Sequence, residues 1–166
     1  GNGSDEVLSF VFYTFFNAEQ HLVVPEHTYS FYPVYAGFYG IPLDKIPLTK
    51  DWHIDTDALL LHAQQNNSAL IFANPNAPTG IALSRAQIQA MLDAAPKDRV
   101  FVVDEAYADF GTESCIPLLA DYPNLVIVRT FSKSLSFAGM RVGYALAQPQ
   151  LIKAIFTMKV TSLHKY

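Results

Sequence analysis

The segment LVIVRTFSK, residues 125–133, begins with four consecutive apolar residues and ends in a serine and a lysine. Continuous runs of Val, Ile and Leu are typical of strands in a parallel sheet, because such strands are buried on both faces. Two further segments have the same form: ALIFA at residues 69–73 runs into NPNAPTG, and VFVV at residues 100–103 runs into Asp104 and Glu105. We therefore expect three buried parallel strands, each followed directly by polar residues.

Helical patterns separate these strands. Residues 55–65 predict a helix capped by Asp55 or Thr56, and Ser84 with Gln87 three residues later matches a capping box. Strands rich in Val and Ile that alternate with helices favour an α/β domain. The predicted fold class is a three-layer α/β/α sandwich with a mostly parallel sheet.

The remaining segments predict further elements of one domain. Residues 6–16 are continuously apolar, which favours a buried helix that Ser4 or Asp5 caps. The other predicted elements are a strand at 22–24, a helix within 29–40, a strand at 41–49, a short helix at 116–122, a strand at 140–147 and a helix from Pro149. Residues 1–166 contain no repeat or long linker, so we expect a single domain.

The composition excludes several function classes. The chain has 166 residues, 51% hydrophobic and 16% charged, as expected for a globular domain. Its net charge is −4 and its 11 basic residues are scattered, so it lacks the basic stripe of nucleic-acid or membrane-surface binding. No apolar run reaches the roughly 18 residues of a membrane span, and Cys115 is the single cysteine, so we expect a cytoplasmic protein. The five histidines show no ligand spacing, so we expect no metal site.

Two polar residues at strand ends are candidates for chemistry, since ligands of open parallel sheets bind beyond the carboxyl ends of the strands. Asp104 has two interpretations: a cap for the following turn, or a carboxylate kept ionised by a cationic partner in a dry site. Lys133 could extend its amine into solvent, or could be a desolvated nucleophile that condenses with a carbonyl. For either residue alone, the first interpretation is the commoner one.

Three features suit an anion. Ser132 and Arg141 supply a hydroxyl and a guanidinium that fit a phosphate, although each could also be an ordinary turn or surface residue. GNGSDE, residues 1–6, lets the backbone approach a ligand and leaves the first helical amides unpaired, but its spacing is not GxGxxG. A phosphate, an aldehyde for a lysine and a cationic ring nitrogen occur together in pyridoxal 5′-phosphate.

Five motifs also carry a resemblance. In chain order they are GNGSDE, PEHTYSFY, NPNAPTG, VDEAY and RTFSKSLSFAGMRVGY, and they span nearly the whole sequence. The set resembles the large domain of fold-type I pyridoxal-phosphate aminotransferases, and most closely their histidinol-phosphate branch. The resemblance implies that residues 1–166 are the cofactor-binding large domain of a longer protein, without its N-terminal arm and smaller C-terminal domain.

The resemblance implies a role for each site residue. Lys133 would condense with the cofactor aldehyde and later move a proton at the substrate carbon, while Asp104 would pair with the pyridinium nitrogen. Tyr29 would stack on the ring, and Tyr107 would direct its hydroxyl to the phenolic oxygen of the ring. The phosphate would be held by the backbone amides of Ser4 and Asp5 together with Ser132 and Arg141.

One motif departs from the family. Where members commonly read NPNNPTG, this chain has Ala77 in place of the asparagine that reaches the phenolic oxygen. Either Asn76 takes over after a small shift of the loop, or Tyr107 serves alone. Because a neutral hydrogen bond contributes on the order of 1 kcal/mol, we expect weaker tuning of the cofactor rather than loss of activity.

The resemblance implies transamination between histidinol phosphate and 2-oxoglutarate, giving imidazole-acetol phosphate and glutamate in histidine biosynthesis. The partners would be a small-molecule amino donor, a 2-oxo acid and, in the full-length protein, a second subunit. An aromatic or aspartate aminotransferase, or an enzyme like threonine-phosphate decarboxylase, is an alternative on the same fold. An alternative of another class is a cofactor-binding fragment without turnover.

Overall fold

Six strands form one sheet in the order β2-β1-β3-β4-β5-β6, in a computed structural model that describes residues 1–163. Strands β1 to β5 are parallel, and β6 pairs antiparallel with β5 because the chain returns to the sheet without a crossover helix. The strands are β1 (Leu22–Pro25), β2 (Leu43–Ile46), β3 (Ala69–Ala73), β4 (Phe101–Asp104), β5 (Leu125–Thr130) and β6 (Gly143–Ala147).

Helices cover both faces of the sheet, which confirms the predicted α/β fold. They are α1 (Gly3–Phe15), α2 (Tyr32–Tyr39), α3 (Thr56–Asn66), α4 (Arg85–Ala94) and α5 (Pro149–Leu163), with short 3₁₀ turns at Ala108–Phe110, Ile116–Ala120 and Ala138–Met140. Helices α1, α2 and α5 lie on one face, and α3 and α4 lie on the other. No helix within residues 1–163 is long and apolar enough to cross a membrane.

The alternation of side chains along each strand builds the two apolar layers. In β5, Val126 and Val128 pack in the layer under α1 and α2, whereas Leu125 and Ile127 pack in the layer under α3 and α4. All four side chains are fully buried. The continuous apolar run at 125–128 is therefore the consequence of a strand covered on both faces.

Two of the predicted helix starts are confirmed. The Asp55 carboxylate accepts a hydrogen bond of 3.0 Å from the Ala58 amide, and Ser84 and Gln87 form both bonds of a capping box. The predicted cap of the first helix is wrong: α1 already begins at Gly3, so Ser4 and Asp5 lie in its first turn. Their amides are therefore among the unpaired donors of the helix start.

The other differences concern element ends. The strand predicted at 41–49 covers only Leu43–Ile46, because Pro42 and Pro47 flank it and cannot donate to a ladder. The strand predicted at 140–147 begins at Gly143, since Arg141 has a left-handed φ of 50°. The short helix predicted at 116–122 is a 3₁₀ turn. The helix predicted from Pro149 is present, and residues 164–166, including His164, lie outside the described part of the chain.

Candidate active site

A cleft opens at the edge of the sheet where β3, β4 and β5 have their carboxyl ends. Every sequence-predicted site residue except Asn76 lines it. The lining residues are Ser4, Asp5, Tyr29, Ala73, Ala77, Asp104, Ala106, Tyr107, Ser132, Lys133 and Arg141. Residues from six separate segments of the sequence thus meet at one place.

Asp104 ends β4 at the floor of the cleft and is only 4% exposed. Its Oδ1 accepts a 3.1 Å bond from the Ala106 amide, and its Oδ2 accepts a 2.9 Å bond from the hydroxyl of Tyr32. Burial raises the pKa of Asp104 to about 6, with a smaller contribution from the negative charges of Asp5 and Glu105, while its two hydrogen bonds oppose the rise. The carboxylate thus caps a turn with one oxygen and lines the cleft, so the first interpretation applies and the cationic partner of the second stays a prediction.

Close packing of two glycines brings the predicted anion-binding elements together. The Gly3 amide donates a 2.8 Å bond to the Arg141 carbonyl, and Gly3 has a φ of 75°. A Cβ atom on Gly143 would lie 2.3 Å from the Ser4 nitrogen, and one on Gly3 would lie 2.4 Å from Nη2 of Arg141. Only glycine at these positions lets the first turn of α1 sit against the segment that carries the guanidinium.

Asp5 holds two other cleft residues in place. The hydroxyl of Tyr29 donates a 2.6 Å bond to Oδ1 of Asp5, and Arg141 donates a 3.4 Å bond to Oδ2. Tyr35 adds a 3.1 Å bond to the Asp5 carbonyl. Burial, followed by the Asp5 carboxylate, raises the pKa of Tyr29. The Asp5 carboxylate therefore orients both an aromatic ring and a cation at the mouth of the cleft.

Lys133 lines the same cleft as Asp104. Its Nζ lies 5.2 Å from the centroid of the Tyr107 ring, which is the range of a cation–π contact. Before the lysine, the Ser132 amide donates a 3.1 Å bond to the hydroxyl of Thr130, which in turn donates to the Ser132 hydroxyl. The amine thus projects into a cleft that also contains a buried carboxylate and an arginine.

Asn76 lies outside the cleft lining, although the sequence made it a candidate for the missing family contact. It is 1% exposed, and its Nδ2 donates to the His27 carbonyl at 2.9 Å and to the Thr79 hydroxyl at 3.3 Å. Its neighbour Ala77 does line the cleft. The Asn76 side chain therefore ties the NPNAPTG loop to the segment after β1.

Tyr32 is a site residue that sequence reasoning missed. It is fully buried, and its hydroxyl donates a hydrogen bond to Asp104, which lines the cleft. The motif PEHTYSFY contains it, but the resemblance implies a role only for Tyr29 within that motif. Nothing local distinguishes Tyr32 among the nine tyrosines, because its hydrogen bond joins it to a residue 72 positions away.

Residues 1–163 contain no group of three or more His, Cys, Asp or Glu side chains placed to hold a metal ion. The polar groups that converge on the cleft are instead two carboxylates, an amine, a guanidinium, hydroxyls and unpaired helical amides. Such a set suits a ligand that carries an anionic group at one end and a carbonyl group at the other.

Comparisons with known proteins agree with this arrangement. The chain is 54% identical over 160 residues to a histidinol-phosphate aminotransferase of Syntrophus aciditrophicus, covering 96% of this chain and 44% of that protein. It is structurally similar to the histidinol-phosphate aminotransferase of Sinorhizobium meliloti solved in complex with pyridoxal 5′-phosphate, with a TM-score of 0.88 and 28% identity over 95% of this chain and 44% of that one. A decarboxylase of Sulfurospirillum multivorans is also similar, with a TM-score of 0.81 and 27% identity over 95% of this chain and 46% of that one.

The chain spans less than half the length of each of these proteins. The family model described as aminotransferase class I and II matches residues 1–163, which is the whole described part of the chain. The chain therefore belongs to the aminotransferase class I and II family.

Proposed function

We propose that residues 1–166 form the pyridoxal-phosphate-binding large domain of an aminotransferase that exchanges an amino group between histidinol phosphate and 2-oxoglutarate. The products would be imidazole-acetol phosphate and glutamate, in histidine biosynthesis. The observation that carries this proposal is the meeting of Lys133, the buried Asp104 and the first turn of α1 in one cleft. The 54% identity to a histidinol-phosphate aminotransferase supports the choice of substrate.

The charge pattern of the cleft supports pyridoxal phosphate as the cofactor. Asp104 is buried with a pKa raised to about 6, so a cationic ring nitrogen beside it would favour the ionised carboxylate that burial disfavours. The amides of Ser4 and Asp5 with Ser132 and Arg141 would bind the phosphate. Tyr29 would cover a face of the ring, and Tyr107 would donate to its phenolic oxygen.

The protein's own part in the reaction would fall to two residues. When bound, pyridoxal phosphate withdraws electrons from the substrate carbon that loses a proton. Lys133 would take that proton on Nζ and deliver it to the cofactor carbon that had carried the aldehyde. Asp104 would hold the proton on the ring nitrogen, so that the electron-withdrawing form of the ring is maintained.

The proposal includes a homodimer in the cytoplasm for the full-length protein. A surface near α2 exposes Phe31, Val34 and Phe38, and the Phe38 side chain is 81% exposed. Large apolar surfaces of this kind are typical of regions that another chain covers. The single cysteine, Cys115, is buried and free, which fits a reducing compartment such as the cytoplasm.

The first test is cofactor capture. Pyridoxal 5′-phosphate added to the chain should produce a near-visible absorption band that is absent in Lys133→Ala and present in the control Lys153→Ala, whose lysine lies on α5. A wild-type chain without the band would contradict the assignment of the site. A band without any amine transfer in the full-length protein would favour a cofactor-binding protein without turnover.

The second test concerns the substrate. The full-length protein should show a higher kcat/KM for histidinol phosphate than for aromatic amino acids or aspartate. Carbon dioxide released from threonine phosphate would instead favour decarboxylation, a second candidate supported by the similarity to the decarboxylase of Sulfurospirillum multivorans.

A further inference from the structure

A chain of charged contacts outside the cleft lining connects the loop after β4 with the loop after β5. Nε of Arg129 lies 3.6 Å from Oε2 of Glu105, and its Nη2 donates to Oδ1 of Asp109. The hydroxyl of Ser134 donates a 2.5 Å bond to Oδ2 of the same aspartate. We call these four residues the Arg129 network.

The inner end of the network is buried and fully bonded. Glu105 is 2% exposed, and its two oxygens accept from the Ser114 hydroxyl at 2.7 Å and the Cys115 amide at 2.5 Å. The Arg129 side chain is 16% exposed. A charge pair this deep is costly unless its geometry is well satisfied, so it differs from an exposed ion pair that contributes little.

The outer end of the network reaches the two segments that carry cleft residues. Asp109 lies two positions after Tyr107, in the 3₁₀ turn Ala108–Phe110. Ser134 directly follows Lys133. The hydrogen bond from Ser134 and the charge of Arg129 lower the pKa of Asp109, so its ionised form is the one that holds both loops.

Lys133 is consequently fixed on both sides. The Ser132 amide before it is bonded to the Thr130 hydroxyl, and the Ser134 hydroxyl after it is bonded to Asp109. The same aspartate belongs to the turn that follows Tyr107, whose ring the lysine amine contacts. One carboxylate thus sets the position of the amine relative to that ring.

We propose that Arg129, Asp109 and Ser134 are positioning residues that aim Nζ of Lys133 at the cofactor aldehyde without contacting the cofactor themselves. This inference rests on the proposed function. It extends the site from the lining of the cleft to a network behind it. Its consequence is specific: loss of the network impairs the approach of the amine, whereas phosphate and ring binding, which depend on other residues, are unaffected.

Two probes separate these effects. Pyridoxal 5′-phosphate carries the aldehyde, so the rate of its near-visible band reports how well Lys133 is aimed. Pyridoxine 5′-phosphate has the same phosphate and ring with an alcohol in place of the aldehyde, so its dissociation constant reports binding alone. Both are measured on the wild-type chain and on Ser134→Ala, Asp109→Asn and Arg129→Lys.

We expect the capture rate to fall roughly ten- to a hundredfold in Ser134→Ala and Asp109→Asn, since a displacement of about 1 Å costs about a hundredfold. The dissociation constant of pyridoxine 5′-phosphate should stay within about twofold of the wild-type value. The matched control is Asp98→Asn, which breaks an exposed pair with Arg99 at the opposite edge of the sheet. It should change neither measurement. Ser134→Ala removes a hydroxyl from a half-buried loop residue, so it remains informative if Arg129→Lys does not fold.

Unchanged capture in both Ser134→Ala and Asp109→Asn would overturn the inference. An equal loss with both probes would also overturn it, since that pattern indicates a general structural role. Failure of the proposed function is distinguishable from either result, because the wild-type chain would then capture no pyridoxal 5′-phosphate and bind no pyridoxine 5′-phosphate.

Discussion

The hydroxyl of Tyr32 donates a 2.9 Å hydrogen bond to Oδ2 of Asp104, between two side chains that are 72 positions apart and both buried. The bond stabilises the ionised carboxylate, whereas burial destabilises it and raises its pKa to about 6. The same contact and burial raise the pKa of Tyr32. The pKa of Asp104 therefore depends on Tyr32, a residue that does not line the cleft.

Tyr32→Phe should lower the free energy of unfolding by about 1.5–3 kcal/mol at pH 8, because a hydrogen bond to a charged group is lost. The loss should be smaller at pH 5, where Asp104 is mostly protonated. Denaturant unfolding at the two pH values measures this difference. Tyr35→Phe is the matched control, since Tyr35 donates to the uncharged Asp5 carbonyl and its loss should not depend on pH in this range. Equal losses at both pH values in Tyr32→Phe would contradict the assignment.

Asp104→Asn should stabilise the cofactor-free chain at pH 7.5. A carboxyl whose folded pKa exceeds its unfolded value of 3.8 favours the folded state below about pH 4 and loses that contribution as the pH rises through about 6. This difference between the folded and unfolded pKa corresponds to about 3 kcal/mol in the free energy of unfolding. Thermal unfolding between pH 4.5 and 7.5 should show a pH dependence that the variant reduces. Asp109→Asn should instead destabilise the chain at pH 7.5. The pKa of Asp109 is lowered, so its ionised carboxylate stabilises the folded state at that pH.

Gly143→Ala should destabilise the chain by about 1–3 kcal/mol, because the added Cβ atom meets the backbone of Gly3 and Ser4 at 2.3 Å. It should also weaken the binding of pyridoxine 5′-phosphate, since the first turn of α1 moves away from Arg141. Denaturant unfolding and a binding titration measure the two effects. Gly139→Ala is the control, because a Cβ atom there has no neighbour within 4 Å. If Gly143→Ala is destabilised but binds pyridoxine 5′-phosphate as tightly as the wild type, the glycine contact is not needed for anion binding.

Ala77→Asn should tighten the binding of pyridoxine 5′-phosphate by about fivefold, which corresponds to about 1 kcal/mol for a restored hydrogen bond. The reason is that Ala77 lines the cleft at the position where the family carries an asparagine.

Asn76→Ala tests how the chain does without that asparagine: either Asn76 supplies the contact, or Tyr107 serves alone. It should lower stability through the lost bond to the His27 carbonyl and leave the affinity of the folded chain unchanged. A selective loss of affinity in Asn76→Ala would mean that Asn76 supplies the contact.

Much of the fold follows from local patterns. Apolar runs predict the buried strands at 69–73 and 125–128 because the covering helices on both faces remove any need for polar side chains. The caps at Asp55 and Ser84 are predictable because each bond joins residues three positions apart. The antiparallel direction of β6 and the start of α1 at Gly3 do not follow from local patterns. Both depend on contacts between segments that are distant in the sequence.

The sequence by itself determined which residues stand at the carboxyl ends of the strands, including Asp104 and Lys133, and which motifs surround them. Strand periodicity places these residues on one edge once the strands are parallel. The tertiary structure alone decided the contacts behind them: Tyr32 with Asp104, and Asp109 with both Arg129 and Ser134. These contacts join segments brought together by packing, so the hydrogen-bond partners that tune and aim the site arise from the folded arrangement.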